Sequence, residues 1–104
     1  MTDCYLVLTT TDSAAEARKI AETLVDEGLV AGVNIIPGVE SIYFWRGKRR
    51  HDKEWQLLMQ TRAARLANLK QRLVQLHSYA NPECMIFRID DGLPAYLDWI
   101  KQNA

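Results

Sequence analysis

Charge of one sign is the first thing the sequence lacks: thirteen Lys+Arg balance thirteen Asp+Glu, for a formal net charge of zero. That removes the long-range positive field a nucleic-acid binder normally uses. It also removes repulsion between copies of the chain, which permits self-association. Cysteine is scarce: Cys4 and Cys84 are too few for a disulfide framework. No apolar run approaches the roughly 20 residues of a membrane helix. Met1-Thr2-Asp3-Cys4 shows no basic segment leading into an apolar stretch, so no signal peptide is expected, and the expected location is the reducing cytoplasm. No linker, repeat or low-complexity stretch is visible.

What is present has globular proportions. The 104 residues are 48% hydrophobic and 25% charged, which excludes disordered, collagen-like and coiled-coil classes. Residues 1–104 are expected to form a single domain. Tyr5-Leu6-Val7-Leu8 is an unbroken apolar run, as in a strand buried on both faces, and residues 9–12 are polar. Ser13 and Glu16 make a capping-box pattern; Ala17, Ile20, Ala21 and Leu24 then recur at helical spacing until Gly28 stops the helix. Residues 30–45 read as one long strand, bent at Pro37-Gly38 because proline donates nothing to a ladder. Residues 47–53 read as a basic tip, and residues 54–61 as an alternating strand that completes a long hairpin. Leu66, Leu69, Leu73 and Leu76 mark a second helix, broken by Asn81-Pro82. Residues 84–89 read as a last strand, and Pro94 opens a short C-terminal helix.

This order predicts an α+β, ferredoxin-like split βαβ fold: β-α-β-β-α-β plus a C-terminal helix, an antiparallel sheet in the order 4-1-3-2, and both main helices on one face. The top edge then gathers residues 9–12, the turn at Trp45 and Lys48, His77 at the end of the second helix, and Tyr79 with Glu83. Cys4 and Cys84 fall at opposite strand ends, some 17 Å apart and beyond disulfide reach. The long second strand leaves ladder groups and apolar side chains such as Val33, Ile35 and Ile36 without cover, which a partner copy would supply.

Several stretches carry a family resemblance: Val33-Asn34-Ile35-Ile36-Pro37-Gly38, Ser41-Ile42-Tyr43-Phe44-Trp45-Arg46-Gly47-Lys48, His77-Ser78-Tyr79-Ala80-Asn81-Pro82-Glu83 and Tyr96-Leu97-Asp98-Trp99. Together they resemble the signature blocks of the CutA divalent-cation tolerance family. The resemblance implies a homotrimer built by strand pairing, similar in shape to the PII signalling proteins. It also implies a link to metal tolerance, chiefly copper, with no enzymatic activity. Some members are credited with copper ligands at positions that read Thr9, Leu76 and His77 here, so one ligand of three survives. Thiolate and thioether suit Cu(I) and imidazole suits Cu(II), whereas Thr and Leu suit neither.

On its own chemistry, His77 reads as a weak metal ligand or as a helix-end cap. Trp45, Lys48, Tyr79 and Glu83 are expected to line a cleft between subunits that takes a metal ion or a small ligand. Cys84 and Met85 are read as core. Thr9-Thr10-Thr11 beside a helix start reads as an anion cradle, which favours a PII-like small-ligand sensor as the alternative. The basic residues at 46–53 raise RNA binding, but the aromatic-rich signature of RNA-recognition modules is missing. A Cys-x-x-Cys copper-chaperone loop is also missing, and no nucleophile–base pair suggests an enzyme.

Overall fold

A computed structural model describes residues 2–104. In chain order the elements are β1 (Cys4–Thr11), α1 (Ala14–Asp26), β2 (Gly32–Trp45), β3 (Lys48–Arg62), a 3-10 turn (Ala63–Arg65) entering α2 (Leu66–Leu76), β4 (Met85–Arg88) and α3 (Pro94–Asn103). The sheet order is β2-β3-β1-β4 with antiparallel neighbours. This is the expected 4-1-3-2 order read from the other edge.

The two helices form where the apolar spacing places them. Ser13 caps α1 by accepting the Glu16 N–H at 3.1 Å, a contact worth about 1 kcal/mol. Gly28 follows the helix with φ of 69°, the left-handed turn that a side chain resists. Ala17, Ile20, Ala21 and Leu24 of α1 and Leu69 and Leu73 of α2 bury against Val7, Leu57 and Met59. Truncating any of these leucines to alanine costs about 2–5 kcal/mol.

Sheet pleating then sorts the remaining residues. Val7, Thr9 and Thr11 share the helix side with Met59, Leu57 and Trp55. The opposite face carries the cross-strand rows Phe87–Leu6–Gln60 and Met85–Leu8–Leu58. Only one end of that face is covered. There α3 packs Ile100 and Leu97 on Cys4, Ala31 and Ile89, and Arg62 Nε donates to the Ala104 carbonyl at 2.7 Å.

Four expectations need correcting. Thr9 and Thr11 lie fully buried inside β1, which runs three residues further than its apolar stretch; β-branched threonines suit a strand, and the anion cradle does not form. The basic tip shrinks to the two-residue turn Arg46-Gly47, both with positive φ, as the twist of a tight hairpin requires. Met85 is not core but sits on the open sheet face, 42% exposed. Val33 and Ile35 pack against the core, so the apolar side chains left bare on β2 are Ile36 and those beyond the bend. Cys4 and Cys84 are both free thiols.

Candidate functional site

Register explains how the site is assembled. In β2, Ile36 pairs with Gln56 and Val39 with Glu54, so β2 spends one residue more than β3 at Pro37-Gly38. Gly38 adopts a φ of 68°. Because side chains alternate, the extra residue reverses the facing of everything after it. Val33 and Ile35 share the helix side with Met59 and Leu57. Tyr43 and Trp45, also odd-numbered, pair instead with Arg50 and Lys48, on the face of β3 that carries Glu54. The bulge therefore aims two aromatics at the open face of the sheet.

The loop after α2 closes the site from the other side. His77 ends the helix, and its backbone N–H donates to the Leu73 carbonyl at 2.9 Å. Its ring is buried, with Nε2 2.6 Å from the Thr10 carbonyl oxygen and Nδ1 accepting the Tyr79 N–H at 3.1 Å. A carbonyl only accepts, so Nε2 carries the proton and Nδ1 is left as the acceptor. That pins Tyr79, whose hydroxyl donates to Glu54 Oε2 at 2.7 Å. Burial, and then the Glu54 carboxylate, hold the Tyr79 phenol far above its ordinary range.

Between arm and loop lies a cavity of about 770 Å³, lined by Trp45, Tyr43, Tyr79 and Glu83 and floored by Thr10 and Glu54. Glu40 and Arg50 also reach it. Burial, and then the neighbouring Glu54, push the Glu83 carboxyl above its usual range. Glu83 Oε2 is buried without a hydrogen-bond partner.

Three of the four expected cleft residues, Trp45, Tyr79 and Glu83, are thus brought together. Lys48 pairs with Trp45 across the hairpin but does not line the cavity. His77 lies behind Tyr79, their ring centroids 4.8 Å apart. Glu54, 7% exposed, was not singled out from the sequence. The signal that finds it is the bulge count, which sets it opposite Val39.

Thr9 Oγ1 is buried without a partner, Leu76 packs on the core, and both nitrogens of His77 are engaged by the backbone. These three residues do not offer copper a donor set. Among the described residues no group of three or more His, Cys, Asp or Glu side chains is placed to hold a metal ion.

Fold and site define a small ferredoxin-like α+β domain with an overlong hairpin, an open apolar sheet face and a carboxylate-and-aromatic cleft at the hairpin root. Comparison with known proteins narrows the class. The family model described as "CutA1 divalent ion tolerance protein" matches residues 5–103, and the chain belongs to that family. A curated relative, the divalent-cation tolerance protein CutA of Thermus thermophilus, is 44% identical over 99 residues, covering 95% of this chain and 96% of the relative. A solved structure of the Thermus thermophilus divalent cation tolerance protein superposes with a TM-score of 0.94 at 43% identity, over 96% of this chain and 97% of that one. CutA from Xylella fastidiosa superposes with a TM-score of 0.95 at 38% identity, over 98% of both chains.

Proposed function

We propose that the chain serves divalent-cation tolerance as a cytoplasmic homotrimer that binds, rather than transforms, its ligand in clefts between subunits. One observation carries the assembly: apolar surface is left bare on an already folded domain. Phe87 is 49% exposed on the open sheet face, and Ile42 and Phe44 on the arm are 66% and 78% exposed. Large apolar side chains left this exposed on both faces mark surface that a partner covers. A two-stranded ribbon projecting beyond its sheet is also marginal without further strands to pair with. Zero net charge leaves copies free to approach. Sedimentation equilibrium at micromolar protein is expected to give three times the 11.9 kDa of one chain; the mass of a single chain would defeat the proposal.

The cation chemistry takes its direction from the family, with copper as the metal of first interest. The engagement of both His77 nitrogens supports a positioning role for this residue over a ligand role, so His77→Ala is expected to leave Cu(II) affinity in calorimetry unchanged while loosening the Tyr79 loop. A second reading, a small-ligand sensor resembling PII proteins, is favoured by the cavity: about 770 Å³ is the volume of a small-molecule pocket rather than of a bare-ion site.

A further inference from the structure

We propose that the cleft at the hairpin root binds a small organic cation carrying N–H donors, a primary ammonium or a guanidinium group, with Glu83 and Glu54 as its counter-ions and Trp45, Tyr43 and Tyr79 as its walls. The proposal rests on the reading of this cleft as a ligand site and names what enters it.

Charge is the first argument. Glu54 and Glu83 line the cavity with one guanidinium, that of Arg50, while the Glu40 carboxylate lies 3.3 Å from His51 on the opposite face of β2. No ion pair among the described residues gives Glu54 or Glu83 a basic partner. Hydrogen bonding is the second. One oxygen of the buried Glu54 is satisfied by the Tyr79 hydroxyl, whereas Glu83 Oε2 is buried with nothing to accept from. A buried acceptor without a donor is a standing cost, and a ligand N–H removes it. The walls are the third. Aromatic faces attract cations through their quadrupoles, and the arm already shows this chemistry where the Arg46 guanidinium lies 5.7 Å from the Trp45 ring centroid. A cavity of about 770 Å³ leaves room for an organic body behind the charged head.

The electrostatics set a direction with pH. Glu83 holds its proton above the ordinary carboxylate range because of burial and the adjacent Glu54. Other titratable groups lining the cavity with it are Tyr79, Tyr43 and Arg50. Protonated Glu83 offers a cation no counter-charge, so affinity falls as pH drops through its titration and binding favours loss of its proton.

The test is calorimetric titration of the full chain with 2-phenylethylammonium and with its neutral counterpart 2-phenylethanol. The ammonium is expected to bind at least about tenfold more tightly than the alcohol. Glu83→Gln is expected to weaken the ammonium about tenfold, to change the alcohol far less and to flatten the pH dependence. Trp45→Leu, a change at an exposed arm position, should weaken the ammonium several-fold and serves should Glu83→Gln fold poorly. Equal affinity for ammonium and alcohol overturns the proposal, as does failure of the ammonium to bind at any accessible concentration. The sedimented mass of the same sample keeps the two readings apart: a trimer indifferent to the ammonium defeats the cation assignment alone, and a monomer defeats the assembly.

Discussion

Glu16 stands third in α1, where the capping-box pattern with Ser13 leads one to expect its carboxylate folded back on its own helix. Ser13 does accept the Glu16 N–H. The carboxylate turns elsewhere, accepting the Ser78 N–H at 2.7 Å and the Ser78 hydroxyl at 2.8 Å, and it lies 3.7 Å from His77 Nδ1. It therefore ties the first helix to the loop that carries Tyr79. Burial works to raise the Glu16 pKa, but the hydrogen bonds from the Ser78 N–H and hydroxyl outweigh it and hold the group below the ordinary carboxylate value. A depressed native pKa stabilises the fold above the unfolded pKa and loses that contribution as pH falls through the native one. Glu16→Gln should cost about 1–2 kcal/mol at neutral pH. In urea titrations the deficit should close on acidification below about pH 4, and a deficit constant with pH would refute this role. Single-residue chemistry was partly legible beforehand: Tyr79, Glu83 and Trp45 meet because topology brings their segments to one edge. Glu54 was not, since in the chain it is one acid beside a run of bases, and only strand register reveals its company.

Among the elements, the hairpin shows how one added residue redirects a surface. Pro37-Gly38 was legible as a bend, because proline breaks a ladder wherever it falls. Its effect on facing was not, for that depends on which β3 residue stands opposite. The strand part of residues 48–53 was hidden as well, because charged residues exposed on both faces show no alternation. Deleting Gly38 should restore a continuous register and turn Tyr43 and Trp45 to the helix side, away from Glu54. The expected result is native-like far-ultraviolet circular dichroism with loss of the proposed trimer in sedimentation. A deletion variant that keeps the wild-type mass would show that the facing of the arm does not matter for assembly.

At the scale of the molecule, strand order and helix placement followed from periodicity together with right-handed crossovers around a central hairpin. The packing of Leu97 and Ile100 of α3 over Cys4 needed the third dimension, since two helices already cover the other face. The single chain is elongated, 44 × 25 × 23 Å, with a Cα radius of gyration of 14.2 Å against about 13 Å for a compact chain of its length. The surplus length lies in the hairpin arm. That arm ends in Arg46, Lys48, Arg49 and Arg50, each a bond that trypsin recognises, on a ribbon that one sheet cannot hold firmly. Tryptic nicking near residue 46 should accelerate as the protein is diluted and slow when it is concentrated, while the sheet and helices stay intact; nicking at one rate across all concentrations would show an arm that is stable alone. If the proposed trimer forms, cleavage at these few basic residues becomes a direct report of how much of the chain stands alone.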